Sequence, residues 1–274
     1  RAISNSCFGE AVIITVTVNS EPAGNDDSRT ICSRDNVSYD LQSNVNSEPN
    51  GNNQPSNFTW VAANNLDVVG ESTSNRTTAT INDVLVNTSG VDQFVQYTVT
   101  PVGTNGCTGN SFTVDIRVQP EPVGVIDNSF FACSNETLTY DLQANLTHPV
   151  PSTFTWVATP NAQVTGESVV PITGSVINDI VTNVTGFPQI VSYTVSPTSS
   201  SGCVGDDYII NIRIDSEPLG QNDNTTICSQ DGVGYDLQTQ NINALGNNMP
   251  STFTWRVLPA NNNPNITGQS LTVM

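Results

Sequence analysis

Hydrophobic and polar residues alternate along several short segments of this chain, and loops rich in Asn, Gly, Pro and Ser separate these segments. The segment SFTVDIRV, for example, has an apolar residue at every second position from Phe112 to Val118. Strict alternation places one face of a strand in a core and the other in solvent, as in antiparallel sheets. No helical periodicity of useful length occurs. The pattern therefore predicts an all-β fold.

The same series of segments occurs three times, about a hundred residues apart. The stretch ICSRDNVSYDLQ at Ile31 returns as ACSNETLTYDLQ at Ala132 and as ICSQDGVGYDLQ at Ile227. Units of this length can each bury a core of their own. We expect residues 1–20 to be the last strand of a preceding repeat, 21–120 and 121–216 to be complete repeats, and 217–274 to be an incomplete one. This pattern suggests a window cut from a longer tandem array.

Each complete repeat has about seven predicted strands, with a Trp on an early strand and a Tyr on a late one. This arrangement is typical of an immunoglobulin-like β-sandwich. Exposed aromatic side chains could stack on sugars, but each Trp shares the inward face of its strand with a Phe two residues earlier. The aromatic residues that we predict to lie in the cores are Trp60, Trp156, Trp255, Tyr97 and Tyr193.

The charge of the chain and its motifs limit the classes of function that it can have. The chain has 274 residues, a net charge of −18 and no Lys, which disfavours nucleic acid and anionic lipid as partners. No apolar run reaches the roughly 18 residues of a membrane span, so we predict no membrane insertion in this segment. The lone His148 has no counterpart in the other repeats, and Asp83 and Asp179 occur once per repeat in equivalent turns. No catalytic motif occurs, and we predict that the chain is not an enzyme.

The repeated landmarks carry a family resemblance. The order FTWVA, VTGES, INDI, YTVSP, GCVGDDYIINIRI and Glu-Pro in the second repeat resembles the PKD-like, immunoglobulin-fold repeats of giant surface proteins in Bacteroidota. The resemblance covers nearly the whole chain, although the WxFGDG turn of true PKD domains is missing. It implies secretion across the outer membrane, often by the type IX system, and display as a stalk, adhesin or gliding-associated filament. It supplies no catalytic residues.

Six cysteines, two per repeat at equivalent positions, predict disulfides and an oxidising compartment. We expect bonds within repeats, Cys32–Cys107 and Cys133–Cys203, with Cys7 and Cys228 pairing outside the segment. The alternative joins neighbours across each repeat boundary, as Cys7–Cys32, Cys107–Cys133 and Cys203–Cys228. The spacings fit no zinc site.

Carboxylates recur where one repeat meets the next. They recur again just after the cysteine that opens each repeated stretch, which is Cys32, Cys133 or Cys228. Ca²⁺ takes six to eight oxygen ligands, so these acids are candidate ligands for Ca²⁺, the one cofactor that the sequence suggests. The alternative is that they are solvated turn residues, with Pro limiting flexing at the junction. The candidate ligands are Glu21, Asp27, Asp35, Glu121, Asp127, Glu136, Glu217, Asp223 and Asp231.

Repetition without a unique site is what a spacer requires. We expect a non-catalytic stalk or filament for adhesion or motility at the cell surface, outside the cell. Its expected partners are neighbouring repeats of the same chain, with self-association into filaments. The alternative is an adhesin that binds a surface ligand or glycan through inter-strand loops. The loop Asn44–Asn57 is longer than its counterpart Asn145–Thr153, but it is polar rather than aromatic.

Overall fold

The computed structural model describes residues 3–4, 7–8 and 10–274. These residues form two compact units whose regular structure is mainly β-strand. The first unit comprises the described residues up to Pro122 together with Ser199–Cys203, and the second comprises Val123–Thr198 and Val204–Met274. Within the described ranges, the helices are all too short or too polar to cross a bilayer.

The first unit contains strands β1 to β10 and one short helix. In chain order the strands are β1 (Ile3–Ser4), β2 (Cys7–Phe8), β3 (Asp27–Cys32), β4 (Tyr39–Asp40), β5 (Ser56–Ala62), β6 (Val68–Val69), β7 (Thr80–Ile81), β8 (Val86–Asn87), β9 (Gln93–Gly103) and β10 (Phe112–Gln119). Helix α1 spans Leu41–Val45. The main sheet has the order β3-β10-β9-β5, with β3 parallel to β10 and the other pairs antiparallel. The ribbons β4-β7 and β6-β8 are antiparallel.

The core of the first unit lies between its main sheet and these two ribbons. Every second residue of β9 and β10 is buried, as the alternating sequence predicts. Ile81 and Leu85 from the ribbon side belong to the same apolar cluster. Within it, the rings of Trp60 and Tyr97 meet edge to face with centroids 5.7 Å apart, an arrangement that the ring quadrupoles favour.

The second unit repeats this plan in strands β11 to β19. In chain order they are β11 (Phe131–Cys133), β12 (Tyr140–Asp141), β13 (Ser152–Ala158), β14 (Val164–Thr165), β15 (Ile172–Thr173), β16 (Val176–Ile177), β17 (Thr182–Asn183), β18 (Gln189–Ser199) and β19 (Tyr208–Asp215). The main sheet is β11-β19-β18-β13-β15, with β11 parallel to β19, and the ribbons are β12-β16 and β14-β17. A 3₁₀ turn spans Gln143–Asn145, a π-helical turn Leu237–Asn243 and a second 3₁₀ turn Pro259–Asn261.

Trp156 and Tyr193 occupy the places of Trp60 and Tyr97, with ring centroids 5.6 Å apart. All four aromatic side chains are at most 3 % exposed. Each of the two complete repeats thus closes its own core between two sheet layers. The prediction of tandem, all-β, immunoglobulin-like sandwiches is confirmed.

The segment VSYDLQ is not the long strand that its alternation predicts. Only Tyr39–Asp40 is extended, and α1 begins at the next residue. Asp40 causes the change, because its Oδ1 accepts hydrogen bonds from the backbone N–H groups of Gln42 at 3.0 Å and Ser43 at 3.4 Å. An Asp at this position caps the free N–H groups of a helical turn.

Two further expectations are wrong at the outer parts of the chain. Residues 10–20, predicted as a last strand, have no strand structure, and Ile13 is 93 % exposed. Trp255, predicted to lie in a core, is 49 % exposed. Trp60 packs against Tyr97 of β9 and shares a core cluster with residues of β9 and β10, and residues 217–274 contain no sequence counterpart of those strands. The expectation for residues 1, 2, 5, 6 and 9 lies outside the described residues.

Candidate functional site

Cys32 and Cys203 form a disulfide in the first unit, with their Cα atoms 5.6 Å apart. This pairing was not among the two schemes suggested by the sequence. The expected bonds Cys32–Cys107 and Cys133–Cys203 are wrong, since each would use a cysteine that is already paired. The sequence correctly indicated that disulfides form, but not which cysteines meet.

The register of the main sheet explains why a repeat cannot close this bond on itself. Cys32 lies beside Gln119, the last residue of β10, whereas Cys107 precedes Phe112, the first residue of that strand. The eight residues of β10 extend over roughly 23 Å. A disulfide requires Cα atoms within about 7 Å, so the two cysteines of one repeat lie at opposite ends of its sheet.

The second repeat has the same register, because Cys133 lies beside Asp215 at the end of β19. The neighbour scheme also fails, since Cys32 and Cys203 are bonded to each other and Cys107 is not bonded to Cys133. The described cysteines that carry free thiols are Cys7, Cys107, Cys133 and Cys228.

The junction aspartates, proposed above as Ca²⁺ ligands, each accept a hydrogen bond from a tyrosine hydroxyl. The O–O distances are 2.6 Å for Tyr39 to Asp27, 2.7 Å for Tyr140 to Asp127 and 2.6 Å for Tyr235 to Asp223. An Asn side chain donates to each of the same hydroxyls, and these residues are Asn44, Asn145 and Asn241. The contact therefore recurs in all three repeats and ties the start of a repeat to its YDLQ segment.

This contact changes the acidity of both partners. Hydrogen bonds from Ser129 and then from Tyr140 hold the pKa of the Asp127 carboxyl below its usual range. Burial, and then the hydrogen bond to Asp127, raises the pKa of Tyr140 above its usual range. The charged carboxylate and the neutral phenol are the forms that the folded chain favours.

The acids after the leading cysteines close tight turns. The N–H of Asp35 donates to the carbonyl oxygen of Cys32 at 3.1 Å, and the N–H of Cys32 donates back to Oδ2 of Asp35 at 3.2 Å. Glu136 makes the same two bonds with Cys133 at 3.3 and 3.4 Å, and the N–H of Asp231 donates to the carbonyl oxygen of Cys228 at 3.2 Å. The side chains of Asp35 and Glu136 thus serve the local backbone.

The junction glutamates do not join these aspartates. Oε2 of Glu121 lies 3.7 Å from Nε of Arg34. Oε2 of Glu217 accepts from Nδ2 of Asn135 at 2.9 Å, and Glu21 is exposed. Across the described residues, no three His, Cys, Asp or Glu side chains are grouped as a metal site requires. The sequence-derived Ca²⁺ ligands are therefore distributed along the chain and not gathered into one cluster.

Asp83 of the Ile-Asn-Asp turn is the centre of a polar network with Ser72 and Tyr97. Its Oδ2 accepts from the N–H of Ser72 at 2.7 Å and from the hydroxyl of Tyr97 at 2.8 Å. Its Oδ1 accepts from the hydroxyl of Ser72 at 2.8 Å. Asp179 makes the same three bonds with Ser168 and Tyr193, at 2.7, 2.9 and 2.7 Å. Each network joins the ribbon side of its sandwich to the main sheet.

Burial raises the pKa of Tyr97 above its usual range, and the charge of Asp83 raises it further. Tyr193 is shifted in the same direction by burial and then by Asp179. A phenol held neutral in this way is a structural hydrogen-bond donor, because a general base would have to lose its proton near neutral pH.

The YDLQ segment contributes more structural contacts than sequence reasoning assigned to it. Its Tyr binds the junction Asp, its Asp caps the following turn, and its Leu is fully buried at Leu41 and Leu142. Its Gln bridges to the next strand: Oε1 of Gln42 accepts from the N–H of Ser56 at 3.0 Å. Gln143 and Gln238 make the matching bonds. The recurrence of these four residues in all three repeats indicated that they matter for the fold, but the sequence did not show which residues they contact.

His148, the one histidine, is partly buried beside Pro149, and its Nδ1 lies 3.5 Å from Oγ1 of Thr147. Asp83 and Asp179 lie in separate units, each engaged by its own Ser and Tyr. The described side chains therefore offer no nucleophile, base and orienting group in one place.

Several solved structures align with this chain at low sequence identity. The fibronectin(III)-like modules of Clostridium thermocellum CbhA align at 10% identity and a TM-score of 0.27, over 73% of this chain and 96% of theirs. The I67–I69 fragment of titin aligns at 10% identity and a TM-score of 0.29, over 72% of this chain and 64% of the fragment. A SusE-like surface-located polysaccharide-binding protein of Bacteroides thetaiotaomicron aligns at 9% identity and a TM-score of 0.27, over 71% of this chain and 33% of its own length. At these TM-scores the similarities carry no argument about fold or function.

None of the curated proteins compared with the chain matches it. Residues 29–122 and 131–218, which together make up about two thirds of the chain, match the family described as the PKD-like domain. The matched ranges correspond to the two sandwiches with the repeated Trp–Tyr pair and Asp network. The chain belongs to the PKD-like domain family and carries two matched copies in tandem.

Proposed function

We propose that this chain is a non-catalytic structural repeat region of a long extracellular surface protein, where it acts as a stalk or filament for adhesion or motility. The observation that carries the proposal is the residue-by-residue repetition of the polar network. Asp83, Ser72 and Tyr97 recur as Asp179, Ser168 and Tyr193 with distances that agree within 0.1 Å.

A binding or catalytic site is usually built once, from side chains that differ from their counterparts in sister repeats. Here the aspartates and tyrosines that sequence patterns single out occur in equivalent places and bond to their own repeat. What such a chain supplies is length and resistance to unfolding. Independent cores in series meet this need, because each repeat is stable through its own packing.

The disulfide and the surface chemistry support an extracellular location. Structural disulfides persist in oxidising compartments and are rare in the cytosol. The net charge of −18 keeps chains apart and soluble at high local density. As a PKD-like chain with the repeat landmarks described above, it fits display on a bacterium of the Bacteroidota after type IX secretion, and we include that source and route in the proposal.

Surface labelling of the source cells tests the proposal. Antibodies raised against the purified chain should stain intact cells, and external protease should remove the signal while a periplasmic marker survives. Mutants that lack the type IX secretion apparatus should retain the protein inside the cell. Staining that appears only after the cells are permeabilised would contradict the proposed location.

A second measurement, of ligand binding by the purified chain, tests the adhesin alternative. A stalk should give no saturable binding to an array of glycans or to host-surface proteins. Saturable binding that is abolished by replacing the loop 44–57 with the shorter loop 145–153 would overturn the stalk function. The same loop exchange should leave the urea-unfolding transition in place, which separates lost binding from lost folding.

A further inference from the structure

We infer that Cys107 and Cys133 each form a disulfide with a cysteine of a further PKD-like repeat in a tandem chain, and that one rule sets the pairing. We call the cysteine before the YDLQ segment the leading cysteine and the cysteine in the turn before the final strand the late cysteine. The rule is that the leading cysteine of a repeat bonds the late cysteine of the repeat that follows it. By sequence, Cys32 is the leading cysteine of the first repeat and Cys203 the late cysteine of the second, and they are bonded. The inference goes beyond the stalk proposal and does not depend on where the protein is displayed.

Cys133 has the local structure that Cys32 uses for its bond. Each is the last residue of a strand that runs parallel to the final strand of its own repeat. Two residues after each cysteine the backbone is left-handed, at Arg34 with φ 66° and at Asn135 with φ 62°. Each exchanges backbone and side-chain hydrogen bonds with an acid three residues later, Asp35 or Glu136. The turn that presents the sulfur is therefore the same.

Cys107 has the local structure of Cys203. Both lie in the hairpin turn before the final strand, and both accept a backbone hydrogen bond at 2.8 Å, from Gly103 and Ser199 respectively. The preceding glycine has a left-handed backbone in both turns, with φ 84° and 91°. The residues that follow the cysteines bridge back to Val102 and Thr198. Cys107 is thus a second copy of a turn that forms a disulfide in this structure.

Neither thiol can be satisfied within its own repeat. The two cysteines of one repeat lie roughly 23 Å apart along the final strand, which excludes a bond between them. Cys133 is exposed and Cys107 is partly buried, so both are accessible to another protein segment. Under the rule, Cys133 requires a late cysteine in the third repeat. Residues 217–274 contain only the leading one, Cys228.

The chemistry is an ordinary oxidation of two thiols. Each new S–S bond releases two protons and two electrons, and a disulfide reagent such as glutathione disulfide takes up the electrons and becomes two thiols. No other group is consumed. The same reaction accounts for Cys32–Cys203.

To test the inference, the chain is extended so that its third repeat is complete. Met274 aligns with Ile172, so the full chain is extended after Met274 with a copy of residues 173–216, which supplies a late cysteine equivalent to Cys203. The protein is refolded in glutathione and glutathione disulfide, alkylated, digested with pepsin at acidic pH and mapped by mass spectrometry. We expect Cys32–Cys203 and a new bond from Cys133 to the added cysteine, while Cys107 and Cys228 are alkylated.

Trp255 reports whether the third repeat has folded, because completing the sandwich should bury this side chain and shift its fluorescence to the blue. In the matched Cys133→Ser chain, Trp255 should still be buried and the added cysteine should be alkylated. A bond from the added cysteine to Cys228, or alkylation of Cys133 in a chain with Trp255 buried, would overturn the inference.

A second chain covers the case in which the extension leaves Trp255 exposed. In this chain residues 217–274 are replaced with a complete copy of residues 121–216, which form the second sandwich of the structure. Cys133 should then bond the late cysteine of that copy. Absence of the bond in this chain would equally overturn the inference, and a disulfide-linked dimer through Cys133 would do so as well.

Discussion

The hydroxyl of Tyr97 lies 2.8 Å from Oδ2 of Asp83 and donates a hydrogen bond to it from a fully buried ring. The same carboxylate accepts from the backbone and the hydroxyl of Ser72. A partly buried carboxylate of this kind is stabilised only while its donors are in place. The pair therefore links the stability of the sandwich to the protonation of a tyrosine.

Alkaline pH should destabilise the chain through its buried tyrosines. Burial, then Asp83, raises the folded-state pKa of Tyr97, whereas an unfolded tyrosine titrates near pH ~10. The folded state holds the proton more tightly, so this contribution is complete below about pH 10 and is lost as the pH rises through the folded pKa. Above about pH 10, each such tyrosine should lower the free energy of unfolding by up to about 1.4 kcal/mol per pH unit.

The double variant Tyr97→Phe and Tyr193→Phe should reduce this slope without abolishing it, since burial also raises the pKa of Tyr208. Urea unfolding followed by Trp fluorescence between pH 8 and about pH 11.5 measures the slope. A slope identical to that of the parent chain would contradict the assignment.

Asp83→Ala should destabilise the first unit by about 2 kcal/mol or more, because the buried hydroxyl of Tyr97 and the N–H of Ser72 would lose their acceptor. Asp92→Ala is the matched control. Asp92 pairs with Arg117 at the surface, where an ion pair contributes less than about 1 kcal/mol. Urea unfolding at pH 7 compares the two variants, and equal losses would show that the network contributes no more than a surface ion pair.

Acid should weaken the contact between Asp127 and Tyr140. Hydrogen bonds from Ser129 and from Tyr140 lower the folded-state pKa of Asp127. The stability that this carboxylate contributes is therefore present above the unfolded pKa of about 3.9 and is lost as the pH falls through the lower folded value. Carboxyl chemical shifts in an NMR titration should place the midpoint of Asp127 below about 3.9. In Tyr140→Phe the midpoint should rise, and an unchanged midpoint would contradict the role of this hydroxyl.

Gly70 should not tolerate a side chain. Its φ is 104°, and a Cβ there would lie 2.0 Å from the carbonyl oxygen of Val84. Gly70→Ala should cost about 3 kcal/mol or more, since it adds a backbone clash to left-handed strain. Gly106 is the matched control, with φ 84° and no atom within 4 Å of the added Cβ. Gly106→Ala should cost only about 1 kcal/mol, and equal Tm losses in calorimetry would contradict the clash.

Cys32→Ser should destabilise the oxidised chain, because the bond to Cys203 closes a loop with a sequence separation of 171 residues. Disulfides contribute typically 2–5 kcal/mol, chiefly by restricting the unfolded chain. Cys133→Ser is the matched control, since Cys133 carries a free thiol in this chain. Reduction with dithiothreitol should bring the parent to the stability of Cys32→Ser. A comparable loss in oxidised Cys133→Ser would contradict the bond assignment.

Most of the β-structure could be predicted because its cause is local. A period of two along β9 and β10 decides which side chains face inward wherever the strands pair, and Trp60, Trp156, Tyr97 and Tyr193 are buried accordingly. The same reasoning failed for Trp255, because burial also requires the strands that cover it. It failed again at Leu41, where the capping bonds of Asp40 turn the chain into α1.

The sequence by itself determined the repeat, the alternation of its strands and the equivalent positions of its cysteines, since each of these can be read from residue types and their spacing along the chain. Only the tertiary structure decided which distant groups meet. Tyr39 reaches Asp27, and Cys32 pairs with Cys203 and not with Cys107. The physical reason is the register of the main sheet, which places the two cysteines of one repeat at opposite ends of a strand.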